Sequence, residues 1–289
     1  MPTLRAATRG SPLARWQAEH VAALLSAVDP SVDVELVLVD THGDRRLDVP
    51  IWELGGKGVF AKEVQAAVLD GRADLAVHSA KDLPSVAIPG LVIGAVPERG
   101  DPRDALVGST LADLPQGAEV ATGSLRRQVE LLRHRPDLRF ASLRGNMQTR
   151  IAKAAEHDAA VVAAVALDRL GLDDHIAERL STDAMLPQVA QGALAVECRE
   201  DDADLRALLA RIEDAPSRRC VDAERAFLAE LGGDCSLPAG AHAVLDGDHL
   251  HLRAFLASPD GQAMHRHDRR GADASVGTQV AIHLRTAAG

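Results

Sequence analysis

The residues with the clearest chemical potential lie where an apolar run, predicted to be a buried strand, ends in His78, Ser79, Lys81 and Asp82. A carboxylate and an ammonium at the point where a strand enters a loop are typical of an active-site rim. Asp82 could instead only cap the turn before Pro84, which is the commoner role of an isolated Lys-Asp pair. The other strand ends of the chain therefore decide how this segment is interpreted.

Three turns between a predicted strand and a predicted helix combine arginines with hydroxyl or amide side chains, at residues 9–11, 123–127 and 144–150. A helix N terminus presents unpaired N–H groups and a partial positive charge, and an arginine adds a planar fork that matches a carboxylate or a phosphate. For one such turn, a solvated arginine is the more common situation. Three turns together with Lys81 indicate a ligand with several negative groups.

Composition and charge limit the classes of function. The chain has 289 residues, of which 46% are hydrophobic, and this is enough for two or three domains with real cores. No apolar run is long enough for a bilayer, and residues 1–10 lack the apolar region of a secretory signal. The formal net charge of -10 disfavours nucleic acid and anionic membranes as partners. We therefore expect a cytoplasmic protein.

Cysteine and histidine spacing predicts neither disulfides nor a metal site. Cys198, Cys220 and Cys235 form no close-spaced ligand pattern, and their odd number argues against a disulfide framework. Cys198 lies in an apolar run and is interpreted as a packing residue. The histidine pairs at 249/251 and 265/267 have no acidic or cysteine residue to complete a ligand set.

The first third of the chain alternates strands and helices, which predicts an α/β sheet with helices on both faces. The predicted elements are strands at 4–8, 33–41, 74–78 and 91–95 and helices at 11–28 and 59–69. The polar, turn-rich residues 97–106 are predicted to cross into a second unit.

The second unit repeats this alternation to about residue 168. It has predicted strands at 119–122, 138–143 and 159–166, with helices ending near His134 and His157. Residues 64–77 and 151–164 share a loose helix-turn-strand pattern, which is compatible with two similar lobes that face each other.

The last part of the chain is predicted to contain a return segment and a small third domain. Residues 188–198 could bring the chain back to the first unit, before a helix at 201–212. From about residue 216, a helix at 221–231 and short strands such as 249–257 predict a small α+β domain.

Two glycine-rich segments remain as further candidates. Residues 55–58 resemble a phosphate loop only superficially, because Lys57 is followed by glycine rather than by serine or threonine. The surrounding residues 42–58 could form a mobile lid or an ordinary surface loop. Cys235 lies in a glycine-rich turn after a helix, where a thiol is accessible to covalent chemistry, although most such cysteines are incidental.

Six motifs in the same order resemble the porphobilinogen deaminase, or hydroxymethylbilane synthase, family. The resemblance spans nearly the whole chain, and the order and spacing of the motifs make coincidence very improbable. The motifs are TRGSPLARWQA at 8–18, GGKGVFAKE at 55–63, HSAKDLP at 78–84, GSLRRQ at 123–128, RGNMQTR at 144–150 and GGDCSLPAG at 232–240.

The resemblance implies a three-domain enzyme with two lobes of the type II periplasmic-binding fold around a cleft and a small α+β C-terminal domain. The implied domains are 1–96 with 190–212, 97–189, and 213–289. The implied reaction joins four porphobilinogen molecules head to tail on a covalent dipyrromethane primer, releases ammonia, and then releases hydroxymethylbilane by hydrolysis. The resemblance also implies uroporphyrinogen III synthase as a candidate downstream partner. No long hydrophobic seam or heptad pattern demands a second subunit, so a monomer is expected.

The resemblance further implies roles for individual residues. Asp82 is implied as the acid/base residue, and Cys235 as the thioether attachment point of the cofactor. The implied cofactor-binding residues are Lys81, Thr122, Ser124, Arg126, Arg127, Gly145, Asn146 and Arg150. The implied binding residues for the incoming or elongating pyrroles are Arg9, Ser11, Gln17, Arg144, Arg150 and Arg169. Lys57 and Phe60 are implied as parts of the lid, and no metal is implied.

This sequence departs from the family pattern at a few positions. Ala80 replaces a common methionine, and this change is expected to affect only packing. Asp234 places a negative charge beside the proposed thiolate, which could raise the pKa of Cys235. Met147 and Gln148 replace a smaller pair, so the fit around the neighbouring arginines is the part of the resemblance with the weakest support.

Two other classes of protein remain as alternatives. A non-catalytic solute-binding or ligand-sensing protein of the same bilobal fold would explain the cationic turns and the cleft. It would leave Asp82 and the cysteine of the third domain without a role. A phosphate-handling enzyme that uses residues 55–58 is the second alternative.

Overall fold

The computed structural model describes residues 3–41, 58, 60–232, 237–258 and 260–289. The first lobe contains a five-stranded sheet with the order β2-β1-β3-β10-β4. Strands β1, β2 and β3 are parallel to one another, whereas β10 is antiparallel to both β3 and β4. The elements of this lobe are β1 (Leu4–Arg9), α1 (Pro12–Val28), β2 (Val34–Val39), α2 (Lys62–Leu69), β3 (Leu75–Ser79), β4 (Leu91–Ala95), β10 (Leu194–Arg199) and α6 (Ala203–Leu209).

Helix α1 shows how the sequence forms these elements. The Ser11 hydroxyl accepts a hydrogen bond from the Ala14 N–H, and Pro12 occupies the first turn, where it loses no helical hydrogen bond. The buried face of the helix includes Val21 and Leu25. Leu25 is fully buried in the core of the lobe, so truncation to alanine would cost about 2–5 kcal/mol.

The second lobe has a five-stranded sheet with the order β7-β6-β8-β5-β9. Its parallel strands β7, β6 and β8 occupy the ranks held by β2, β1 and β3 in the first lobe, and β5 is antiparallel to β8 and β9. The elements of this lobe are β5 (Asp104–Val107), β6 (Glu119–Ala121), α3 (Leu125–His134), β7 (Arg139–Ala141), α4 (Met147–Ala154), β8 (Ala159–Ala163), α5 (Ala164–Asp168) and β9 (Ile176–Arg179).

The prediction of one long strand at 159–166 is wrong. The strand ends at Ala163, and α5 begins at Ala164. Residues 164–167 are buried on every side of this short helix, so the sequence shows a continuous apolar run in both elements. Hydrophobic periodicity does not distinguish a fully buried helix from a fully buried strand.

The third domain packs α7 (Ala215–Glu230) and α8 (Ser275–Ala288) against an antiparallel sheet of β11 (Ala239–Asp246), β12 (His249–Ala257) and β13 (Met264–Gly271). The strand at 249–257 is confirmed, whereas β11, β13 and α8 were not predicted. Helix α7 begins six residues before the predicted start, because Asp214 caps it by accepting a hydrogen bond from the Ser217 N–H. The two helices pack closely at Gly277, where a Cβ atom would lie 2.0 Å from the Ala223 carbonyl oxygen.

The predicted arrangement of two similar α/β lobes and a small α+β C-terminal domain is confirmed. The predicted return of the chain is also confirmed, since β10 lies between β3 and β4 of the first sheet. The packing interpretation of Cys198 is confirmed, because this residue is fully buried in β10 and burial raises the pKa of its thiol to about 11. None of the helices that the structure describes is both long and apolar enough to cross a membrane.

Candidate active site

The carboxyl end of β3 opens onto a cavity in the first lobe that brings together residues from three separate motifs. These include three predicted pyrrole-binding residues, the predicted acid/base residue and one predicted lid residue. The predicted residues that line the cavity are Arg9, Ser11, Gln17, Phe60 and Asp82, together with His78 and Ser79. Residues that are up to 73 positions apart in the sequence therefore meet at one strand end, as expected for a parallel sheet.

Asp82 is the last residue of a short 3₁₀ turn, Ala80–Asp82, that directly follows β3. The turn is closed by the Leu83 N–H, which donates to the Ala80 carbonyl oxygen at 3.3 Å. The alternative role of Asp82 as a turn cap has no support here, because none of the hydrogen bonds between described residues ends on its carboxylate. Gln17 supports the turn from α1, as its Nε2 donates to Ser79 Oγ at 2.8 Å.

Arg9 and Phe60 are in contact at the mouth of this cavity. The guanidinium carbon of Arg9 lies 4.2 Å from the centre of the Phe60 ring, a cation–π geometry. A predicted pyrrole-binding cation and a predicted lid residue therefore touch. The other predicted lid residue, Lys57, and the predicted lid segment 42–57 lie outside the described residues.

Arg150 brings positive charge to the opposite side of the cleft. Its Nε donates to the Gly145 carbonyl oxygen at 2.9 Å, and Asn146 caps α4 by accepting from the Thr149 N–H at 2.9 Å. Burial, followed by repulsion from Arg127 and Arg144, lowers the pKa of Arg150 to about 10, whereas Asp82 acts in the opposite direction. A partly buried cation that is repelled by its neighbours favours an anionic ligand.

Arg126 and Arg127 are held differently, by an internal carboxylate. Asp104, at the start of β5, accepts from Arg126 Nη2 at 2.8 Å and from Arg127 Nε at 3.0 Å. Burial opposes the ionisation of this fully buried carboxyl, but the two arginines outweigh it and lower the pKa of Asp104 to about 2. The predicted contact of these arginines with the cofactor stays a prediction. Any such contact would use N–H groups that Asp104 leaves available.

Lys81 connects the two sides of the cleft. Its Nζ donates to Gln191 Oε1 at 3.2 Å, and Gln191 Nε2 donates to Asp104 Oδ1 at 3.0 Å. Burial lowers the pKa of the Lys81 ammonium to about 8, against the opposing influence of Asp82. The two charged residues of the opening motif therefore belong to the same cationic cluster as the arginines of the second lobe.

Comparison with known proteins identifies the family of this cationic cleft. The family model "Porphobilinogen deaminase, dipyromethane cofactor binding domain" matches residues 4–207, and the model of the C-terminal domain matches residues 218–286. The chain belongs to the porphobilinogen deaminase family. A porphobilinogen deaminase from Nitratidesulfovibrio vulgaris is 49% identical over 286 residues, covering 97% of this chain and 90% of the relative. Another from Syntrophotalea carbinolica is 49% identical over 266 residues, covering 90% and 84% of the two chains.

Solved structures of low sequence identity are similar over most of the chain. The methionine binding protein MetQ is 13% identical with a TM-score of 0.47, covering 75% of this chain and 92% of that protein. A methionine-bound nutrient binding protein from Burkholderia cenocepacia is 14% identical with a TM-score of 0.45, covering 75% and 93%.

Family membership confirms the enzyme class and the cofactor. The chain is a transferase that polymerises porphobilinogen into hydroxymethylbilane on a dipyrromethane primer, and it serves tetrapyrrole and haem biosynthesis. The match to the cofactor-binding domain covers the whole cationic cluster, from Arg9 to Gln191. The solute-binding and phosphate-handling alternatives are therefore wrong.

A second cavity lies where the second lobe meets the third domain. Ser124, Arg126, Gln188 and Leu237 line it. The Ser124 hydroxyl caps α3, and the Ser124 backbone N–H donates to Thr122 Oγ1 at 3.3 Å. Leu237 follows the segment 233–236, which contains Cys235 and Asp234 and lies outside the described residues. The Arg126 Nε atom is buried and has no hydrogen-bond partner among the described residues, which fits a carboxylate-bearing cofactor here.

The last predicted pyrrole-binding residue, Arg169, lies beside the crossing between the lobes. Its Nη2 donates to the Gly192 carbonyl oxygen at 2.8 Å, and its guanidinium carbon lies 5.4 Å from the Trp16 ring centre. Burial lowers the pKa of Arg169 to about 10. Gly192 has a φ of 92°, and a Cβ atom there would lie 2.5 Å from the Gly100 carbonyl oxygen. The close approach of the two crossing segments therefore requires glycine at this position.

Sequence reasoning missed a buried polar group behind this site. Glu197 of β10 lies 3.0 Å from His78 Nε2 and accepts from Gln65 Nε2 at 2.9 Å. A glutamate within the apolar run 193–198 was the available signal, because a carboxylate in a central strand needs partners.

The departures from the family pattern are explained by packing at two positions. Ala80 and Met147 are buried in hydrophobic clusters, whereas Gln148 is exposed.

Proposed function

We propose that Asp82 is the acid/base residue of porphobilinogen polymerisation and that Cys235 holds the dipyrromethane through a thioether. The observation that carries this proposal is the position of the Asp82 carboxylate, which lines a cavity with Arg9 and lies near Arg150 in an otherwise cationic cleft. Porphobilinogen and the growing chain carry acetate and propionate groups, so the cations would bind these groups and leave Asp82 for the reacting carbon.

Asp82 can perform three proton-related tasks from this position. It can assist proton delivery to the leaving amine, stabilise the cation that remains when porphobilinogen loses ammonia, and later accept the proton from the pyrrole ring. A carboxylate stabilises a cation far more strongly in a poorly solvated cleft than in water. The partial burial of Asp82 beside the buried side chains of His78 and Gln17 supports this role.

The predicted binding residues divide into two groups by location. Arg9, Ser11 and Gln17 line the cavity of Asp82 and would bind the incoming pyrrole, with Arg144 and Arg169 binding the elongating chain. Lys81, Ser124, Arg126, Arg127 and Arg150, with Thr122, Gly145 and Asn146, would hold the primer carboxylates. When bound, the primer supplies the pyrrole carbon onto which the first substrate is added.

Several broader parts of the proposal rest on the family and the fold. We keep the domain boundaries 1–96 with 190–212, 97–189 and 213–289, which agree with the membership of the three sheets. We further propose a cytoplasmic monomer whose product passes to uroporphyrinogen III synthase, with no nucleic-acid partner, as the net charge of -10 favours.

The test uses two nearly isosteric variants of the full chain. Asp82→Asn removes the charge, and we expect turnover to fall by about 10²-fold or more while the primer stays attached by intact mass. Cys235→Ser should lose the pyrrolic adduct altogether, with Cys198→Ser as the matched thiol control that keeps it. Full turnover of Asp82→Asn would exclude the acid/base role, and an unchanged adduct on Cys235→Ser would place the attachment on another residue.

A further inference from the structure

Gln191 is a fully buried amide at the crossing between the two lobes. Its Oε1 accepts from Lys81 Nζ of the first lobe at 3.2 Å. Its Nε2 donates to the Pro102 carbonyl oxygen at 2.8 Å and to Asp104 Oδ1 of the second lobe at 3.0 Å. One side chain therefore contacts a cation of one lobe and a carboxylate of the other.

The chemistry of these neighbours fixes the orientation of the amide. The Pro102 carbonyl and the Asp104 carboxylate are acceptors, so the NH₂ group must face them. The Lys81 ammonium has only donors, so the carbonyl oxygen must face it. Only an amide meets both demands, because a carboxylate would face two acceptors and an apolar side chain would leave all three groups without this partner.

Asp104 continues the contact into the second lobe. Besides Gln191, it binds Arg126 and Arg127, and both guanidinium groups are further anchored by the chain. Arg126 Nη1 donates to the Leu186 carbonyl oxygen at 2.6 Å, and Arg127 Nη1 donates to the Val161 carbonyl oxygen at 2.9 Å. The three cations are thus connected through two buried side chains.

We propose that Gln191 and Asp104 are positioning residues that hold Lys81 at a fixed spacing from Arg126 and Arg127 across the cleft. This inference rests on the proposed role of those three cations as ligands of the primer carboxylates. The Gln191 amide between the lobes sets the spacing of the three cations, so that the carboxylates of the primer meet them when the primer binds.

The charges around Gln191 explain why this connecting side chain is a neutral amide. Lys81, Arg126 and Arg127 exceed the connecting carboxylate of Asp104 by two positive charges (3 − 1 = 2), and the neighbouring Asp82 and Arg150 add one charge of each sign, so an excess of two is left for an anionic ligand. A glutamate at position 191 would reduce this excess to one and would repel Asp104. Glutamine therefore connects the lobes without weakening the attraction for the primer.

The test measures the environment of Lys81 directly. The chain has four lysines, Lys57, Lys62, Lys81 and Lys153, so ¹³C labelling of the lysine ε carbons yields a spectrum in which Lys81 can be assigned by Lys81→Arg. All pKa measurements use the full chain with Cys235→Ser, so that the variants are compared without the primer. We expect Gln191→Leu to lower the pKa of Lys81, because the ammonium loses an acceptor, and Gln191→Glu to raise it.

A second buried amide provides the matched control. Gln65 is 3% exposed and also donates to a carboxylate, Glu197, and none of the hydrogen bonds between described residues joins it to Lys81. Gln65→Leu should destabilise the fold and leave the pKa of Lys81 unchanged. Thermal unfolding of each variant verifies that the compared chains are folded, and Gln191→Glu keeps the size of the native side chain.

The functional consequence is measured in the chain with Cys235 intact. Gln191→Leu and Gln191→Glu should each lower kcat/KM and the rate of primer attachment by about tenfold or more, the effect of losing one hydrogen bond to a charged group. An unchanged Lys81 pKa in both variants would overturn the proposal, as would shifted pKa values with unaltered attachment and kcat/KM. An adduct on Cys235→Ser would contradict the proposed attachment site only, because the pKa comparison is made within one background.

Discussion

The two regions of the cleft use the same residue type in opposite ways. In the buried region of the second lobe, Arg126 and Arg127 bind the internal carboxylate of Asp104. In the open region, the Arg150 guanidinium donates to a backbone carbonyl, and the Arg9 guanidinium lies over an aromatic ring in addition to its other contacts. An arginine is available to a ligand to the extent that the fold has not already provided it with an anion, and this depends on residues far away in the sequence.

The two regions should also differ in what they contribute to stability and to binding. A buried ion pair costs about 3–5 kcal/mol when one partner is removed, since the other charge is left uncompensated. A cation that is repelled by its neighbours contributes little to folding and is instead neutralised by a ligand. The buried region should therefore respond to mutation through stability, and the open region through binding.

The largest expected effect separates Arg127→Gln from Arg150→Gln. Arg127→Gln leaves Asp104 with one arginine fewer, so we expect the free energy of unfolding to fall by about 3 kcal/mol. Arg150→Gln removes a cation that Arg127 and Arg144 repel, so stability should change by less than about 1 kcal/mol while primer attachment is lost. Urea unfolding and intact mass measure the two effects.

An equal loss of stability in both variants would show that the distinction between the regions does not hold in solution. Arg139→Gln is the matched control, because the side chain of this exposed arginine donates to the Gly117 carbonyl oxygen and forms no ion pair with any residue that the structure describes. It should leave both stability and primer attachment close to those of the unmodified chain.

The sequence predicted the open region better than the buried one. Arg9, Ser11, Gln17 and Asp82 belong to local strand-to-helix motifs, and parallel strand ends bring such motifs together. Asp104 lies in the polar stretch 97–106, which was interpreted as a crossing, and nothing local distinguishes a buried aspartate from a turn residue. Its partners are 22 and 23 residues away, so only the tertiary structure identifies it.

The fold prediction was correct for the paired helix-strand units and incomplete for the short antiparallel strands. The loose similarity of residues 64–77 and 151–164 is confirmed in the structure, where α2-β3 and α4-β8 occupy equivalent ranks in the two sheets. The antiparallel strands β5 and β9 were not predicted. β5 is buried at all four positions and β9 is a four-residue edge strand, and neither has the alternation of apolar and polar residues that marks a strand in a sequence.

Acid titration provides a smaller effect that tests the buried region. The folded-state pKa of Asp104, about 2, lies below its ordinary value of 3.8, so its contribution to stability is complete above pH 3.8 and is lost as the pH falls through about 2. Arg127→Gln makes this depression smaller, so its excess destabilisation should be greatest near neutral pH and shrink toward pH 2. Urea unfolding at pH 2 to 7 measures it, and a pH-independent difference between the two chains would contradict the assignment.

The smallest expected effect concerns the contact of Arg9 with Phe60 in the open region. A cation–π contact at a partly exposed site is worth about 0.5–1 kcal/mol, and this corresponds to about a 2- to 5-fold change in affinity. We expect Phe60→Leu to raise KM for porphobilinogen by this factor with little change in kcat, because Arg9 loses its orientation but keeps its charge. Phe60→Trp should restore KM, since indole is the strongest cation–π partner. If Phe60→Leu and Phe60→Trp raise KM equally, the ring matters for its shape at the cavity mouth, and Arg9 in the open region is held in place by other contacts.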